Sequence, residues 1–183
     1  MCPDRRGVGY SVSRAVANRG FDKERLSAFD RIPSSKLGVL PLMIRFARAK
    51  RSVAIFSEAL GHRRHHGRTA LLVNEHSASA AEMVAAFASE SGLATVVGTK
   101  TPGRLVATSG FKVGHGYRVA LPVAAYYTWE GTNLEGKGVA PDVDEPLSAD
   151  VLGRGNDNQL RRAQEVTRHV PIANEPAHPG ASS

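Results

Sequence analysis

Thr69 to Arg104 reads TALLVNEHSASAAEMVAAFASESGLATVVGTKTPGR, and the order of its parts decides the fold. Thr69–Val73 (TALLV) is an uninterrupted β-type run, as in strands covered on both faces. Asn74–Ser77 is a polar turn. Ala80–Ser91 (AAEMVAAFASES) is helical, and Gly92 supplies a stop. Ala94–Val97 (ATVV) is a second apolar strand. Strand, turn, helix and strand in one short stretch make a βαβ unit, which predicts an α/β core.

Outward from this unit the pattern changes. Phe111–Val113 and Tyr117–Leu121 flank Gly114–His115–Gly116 and predict a β-hairpin, continued by a β-type run over Val123–Thr128. On the other side, Val8–Val12 predicts a short strand, Asp22–Phe29 a helical turn and Ser52–Phe56 a strand. Leu37–Ala49 (LGVLPLMIRFARA) predicts a short helix broken or started at Pro41. Beyond Asp150 the chain is polar, with an amphipathic helix over Asn156–His169 and a tail, EPAHPGASS, of disordered composition. These features divide the chain into a core over 1–150 and a polar helix and tail over 151–183.

At 183 residues, with 42% hydrophobic and 22% charged residues, the chain has the make-up of one soluble globular domain. No apolar run is long enough to span a membrane, and MCPDRRGVGYSV lacks a signal-peptide core, so no compartment is legible. The net charge of +7 gathers between Arg45 and Arg68. The run HRRHHGR has no interleaved aromatics and matches no nucleic-acid module, so it reads as a solvated loop. His62, His65 and His66 lack a nearby Cys and lack helical ligand spacing, so no metal or other cofactor is expected. The single cysteine, Cys2, excludes an internal disulfide.

The chemistry concentrates in NEHSASAAE. A serine at a helix start sits in a positive local field beside free backbone N–H groups, which can stabilise the oxyanion of acyl transfer. Ser79 is the candidate nucleophile and the Ala80 N–H the candidate oxyanion donor. The competing explanation is structural, because Ser79 and Glu82 also form the S-x-x-E of a capping box. His76, three residues before Ser79, is a possible base.

The same segment resembles the signature of the tail-specific, or C-terminal processing, protease family: a strand ending in Val-Asn, then Ser-Ala-Ser-Ala, a Glu-bearing helix, an apolar strand and a Thr-x-Gly-Lys turn. LEGKGVAPDV (Leu134–Val143) is similar to the family's closing segment. The resemblance implies a serine peptidase with a ClpP/crotonase-like core and a β-hairpin-rich C-terminal part. It implies a polypeptide substrate, no cofactor, and relatives that are often exported. It puts the nucleophile at Ser79, the oxyanion N–H at Ala80 and the family's helix-end acid at Glu90. At 1.5 Å rise per residue Glu90 lies about 16 Å along the helix from Ser79, a structural place.

The departures matter equally. The family's general-base Lys falls on Arg104, and the Gln that orients it falls on Thr108. Lys100 matches a variable position. A lysine can be tuned towards neutrality by burial, whereas an arginine, with a pKa of about 12.5 or more, is deprotonated in fewer than roughly one molecule in 10⁵. The base is then His76, His115 or absent. The family's Asp-Leu-Arg-x-Asn-x-Gly-Gly donor segment and its PDZ domain find no match before Ser79, which leads to the expectation of a core truncated at the N-terminus. Three readings follow: a serine endopeptidase cleaving unstructured polypeptide through an acyl-enzyme, a non-catalytic peptide- or partner-binding relative, and, last, a basic nucleic-acid binder.

Overall fold

The computed structural model describes residues 4–30, 35–49, 52–59 and 65–169. It is a mixed α/β structure built on two sheets with a helix between them. The first sheet contains β1 (Gly7–Ser13), β2 (Ser27–Phe29), β3 (Val53–Phe56), β6 (Val106–Gly114) and β7 (Tyr117–Thr128), in the order β2-β3-β1-β7-β6. The second contains β4 (Ala70–Val73), β5 (Thr95–Gly98) and β8 (Val143–Asp144), all parallel, with β5 central. The helix α3 (Ala80–Glu90) links β4 to β5 and packs against β5 on one side and β1 and β7 on the other.

Alanines explain how one helix can serve two sheets. Ala85, Ala86 and Ala88 are buried, and their small side chains let backbone approach backbone on both sides. Val96 and Val97 of β5 are fully covered. Tyr126, Leu105, Leu134 and Val139 complete the same cluster, so segments far apart in sequence share one core. Asp142 fastens the far end of α3: its carboxylate accepts from Ser89 Oγ at 2.9 Å and from the Val96 N–H at 2.7 Å.

The βαβ unit and the late helix lie where the sequence places them, to within a residue or two at their ends, and the hairpin turns at Gly114–Gly116 as expected, although its first strand begins at Val106, five residues before Phe111. The hairpin is long, and Phe111, Val113, Tyr117, Val119 and Leu121 along it are exposed. α5 (Asn158–His169) packs on β4 and β5 and is anchored by Asn158, whose amide donates to Glu145 Oε1 at 2.6 Å and to the Pro146 carbonyl at 2.8 Å.

Four expectations need correction. Leu72 is 40% exposed, so β4 is not covered on both faces, although α5 packs on this strand. Pro41 neither breaks nor starts its helix: α2 runs Lys36–Arg48 with Pro41 inside, although an interior proline gives up one hydrogen bond and crowds the preceding turn. Asp22–Phe29 splits into a 3-10 turn (Lys23–Arg25) and the strand β2, which pairs in parallel with β3. The basic loop is not wholly solvated. Arg68 Nη1 donates to the carbonyls of Thr167 at 3.1 Å and Arg168 at 2.6 Å, a cation at the C-terminal end of α5 where orphan carbonyls and the helix dipole favour it. Within that run only His62, Arg63 and Arg64 lie outside the described residues, as does the tail from 170. The short elements α1 (Arg14–Ala17), α4 (Ala149–Gly153) and β8 carry too few residues to show a period, and the sequence does not announce them.

Candidate active site

Ser79 occupies the N-cap of α3 and is solvent-exposed. Its backbone has φ 59° and ψ −121°, a conformation that non-glycine residues rarely adopt and that costs on the order of 1–3 kcal/mol. An exposed serine held in such strain at a strand-to-helix turn is the arrangement a nucleophile elbow uses. The amide of Ala80, the next residue, makes no hydrogen bond among the described residues, and Ala80 as a whole is exposed.

Glu82 holds this conformation. Its carboxylate is fully buried and accepts four hydrogen bonds: Ser79 N–H at 3.0 Å and Arg104 N–H at 2.9 Å on Oε2, Thr101 Oγ1 at 2.6 Å and Gly103 N–H at 2.6 Å on Oε1. Burial raises its pKa, but the bonds from Thr101, Gly103, Arg104 and Ser79 outweigh burial and hold the carboxyl below its ordinary value. The residue that the spacing offers as a capping-box partner is thus a hub joining the α3 turn to the 101–105 turn.

The 101–105 turn is gripped from its other side by the segment Leu134–Val139. Glu135 Oε2 accepts the Leu105 N–H at 2.5 Å, the Gly136 N–H donates to the Gly103 carbonyl at 2.8 Å, and Thr101 exchanges bonds with Val139, N–H to carbonyl at 3.0 Å and Oγ1 from N–H at 2.7 Å. Gly138 has φ 68°, and a Cβ there would stand 2.0 Å from the Thr101 carbonyl oxygen. Three successive amides, at 103, 104 and 105, therefore end on carboxylates. Sequence reasoning missed Thr101 and Glu135 as parts of the site, and the only trace of their role was that the two signature segments occur together.

The positions singled out from the sequence separate in space. Arg104 is brought beside Ser79 through their common acceptor, and its side chain is exposed. His76 lies on the same turn as Ser79 and is exposed; its Nε2 is 3.6 Å from Glu75 Oε1, and no hydrogen bond joins it to Ser79. Glu75 is itself fixed by Thr99 Oγ1 at 3.2 Å, and its pKa is lowered chiefly by its own backbone N–H, then by Thr99. His115 sits at the tip of the hairpin at φ 49°, beyond the nine residues of β6, which at about 3.3 Å per residue carry it some 30 Å from Arg104. Thr108 is exposed on β6 opposite Pro122. Glu90 ends α3, remote from Ser79, and Lys100 is exposed just before the 101–105 turn. Among the described residues no group of three metal-ligating side chains occurs, and no helix is long and apolar enough to cross a membrane.

The profile of peptidase family S41 matches residues 13–145. The chain is 33% identical over 108 residues to the carboxy-terminal-processing protease of Bartonella bacilliformis, covering 58% of this chain and 25% of that protein. It is 37% identical over 79 residues to a carboxyl-terminal-processing protease of Synechocystis, covering 42% of this chain and 18% of that one. The chain thus spans about a quarter or less of the curated relatives it matches. In structure it resembles the tricorn protease with a TM-score of 0.52 at 23% identity, over 60% of this chain and 11% of that one, a likeness of fold. On the extent of the family match, which takes in the strained serine, the buried glutamate and the segment that grips the 101–105 turn, the chain belongs to peptidase family S41.

Proposed function

We propose that this chain carries the site of a serine-type peptidase, built on a ClpP/crotonase-like core, that cleaves unstructured polypeptide through an acyl-enzyme on Ser79. The observation that carries the proposal is the strained, exposed Ser79 at the start of α3, beside an Ala80 N–H that has no hydrogen bond among the described residues. In this reading Ser79 Oγ attacks a peptide carbonyl carbon and the Ala80 N–H steadies the resulting oxyanion. The C–N bond then breaks, the amine leaves with the proton taken from Ser79, and water hydrolyses the ester.

The proton needs a carrier. Arg104 occupies the place where the family resemblance puts a lysine, and a guanidinium cannot accept a proton near neutral pH. His76 is the imidazole nearest in sequence to Ser79 and carries a carboxylate partner in Glu75, so it is the base this reading adopts. The hairpin holds His115 too far away for that role. The test is hydrolysis of a fluorogenic unstructured peptide by the wild type and by Ser79→Ala. The reading predicts turnover that the substitution abolishes. Equal rates in both proteins would overturn it, and peptide binding without turnover would instead identify a non-catalytic relative.

A further inference from the structure

Arg104 has a positioned backbone and an unclaimed side chain. Its N–H shares Glu82 Oε2 with the Ser79 N–H, so the two backbone nitrogens lie no farther apart than those two bonds laid end to end. Its guanidinium has no hydrogen bond or ion pair among the described residues and faces solvent. The nearby carboxylates are already engaged. Glu82 is fully buried and takes four donors, Glu135 takes the Leu105 N–H, and Glu75 takes Thr99 Oγ1 and faces His76.

We infer that Arg104 is a recognition residue for a carboxylate of the polypeptide bound beside Ser79. This rests on the reading that the cleft takes polypeptide. A guanidinium offers a planar fork of donors that matches a carboxylate in bidentate fashion, and it keeps its charge throughout the physiological range. A lysine ammonium at this place could be tuned to move a proton, whereas an arginine binds an anion and holds it. Two sources could supply the carboxylate: the free C-terminus of the chain, or an Asp side chain within it. In both cases Arg104 confers a preference for an anionic ligand that does not depend on turnover.

The experiment measures binding by fluorescence anisotropy to Ser79→Ala, which keeps the ligands intact. Three versions of one otherwise uncharged, unstructured peptide are used: a free C-terminal acid, its C-terminal amide, and the amide with one internal Asp. At least one carboxylate-bearing peptide should bind about tenfold tighter than the neutral amide, the difference expected of one charge-assisted pair. Whichever of the two binds tighter identifies the source. Adding Arg104→Gln should erase that preference, and Arg104→Lys should keep part of it. Because the side chain has no partner among the described residues, both variants should melt near the parent temperature. Equal affinity for all three peptides, or a preference that survives Arg104→Gln, overturns the inference. Hydrolysis unaffected by Ser79→Ala would instead defeat the peptidase reading and leave the carboxylate preference standing.

Discussion

The backbone amides of Ser79 and Arg104 donate to one and the same oxygen, Glu82 Oε2, at 3.0 and 2.9 Å. That shared acceptor joins two turns 25 positions apart in sequence and holds Ser79 at a φ of 59°. The strain is sustained because the buried carboxylate leaves neither turn another place to settle.

Glu82→Gln keeps the volume but sets an amide NH₂ against backbone donors. It should cost about 3 kcal/mol, the scale of losing charge-assisted bonds in a buried site. For a chain of this length that corresponds to a melting temperature lower by roughly 10 °C. Thermal unfolding followed by circular dichroism checks this, and an unchanged midpoint would show that Glu82 does not hold the two turns.

The pH dependence has a definite sign. Hydrogen bonding holds the Glu82 carboxyl below its ordinary value despite burial, so its contribution to stability is complete above the ordinary carboxylate range and is lost as pH falls through the lowered folded value. The stability difference between wild type and Glu82→Gln in urea should therefore narrow on acidification below that range. A difference that widens as pH falls contradicts the assignment.

Gly138→Ala should damage the same site from its other side. A Cβ there would stand 2.0 Å from the Thr101 carbonyl oxygen, at a φ of 68° that disfavours alanine. We expect a loss of about 2–4 kcal/mol and a displaced 101–105 turn. Hydrogen exchange at the Gly103, Arg104 and Leu105 amides, each bonded to a carboxylate, should speed up in this variant. Unchanged protection of those three amides would refute the clamp.

With His76 as base, His76→Ala should lose about 10²–10⁴-fold in the rate of hydrolysis. A rate indifferent to His76→Ala but raised many-fold by Arg104→Lys would move the base to position 104.

How much of this was legible before the structure depends on the range of each interaction. The βαβ unit could be read because its period changes within the quoted stretch, and Ser79 at the helix start because S-x-x-E is a local pattern. The hub role of Glu82 could not be read, since its further donors at Thr101, Gly103 and Arg104 lie about 20 residues downstream and no spacing rule connects them. Glu135 was hidden in the same way, 30 residues from its partner Leu105. Pro41 was misread because an interior proline, though costly, does not always end a helix, and here the helix runs on through it. Leu72 was misread because an unbroken apolar run does not reveal which of its faces a neighbour will cover.

The most direct test of the central claim is labelling of residues 1–183 with a fluorophosphonate probe, in which Ser79 Oγ displaces fluoride from phosphorus and loses its proton to the base. The account predicts a single phosphonylated peptide containing Ser79, found by mass spectrometry in the folded protein and absent from Ser79→Ala. No adduct on the folded wild type, or an adduct that persists in Ser79→Ala, would contradict it.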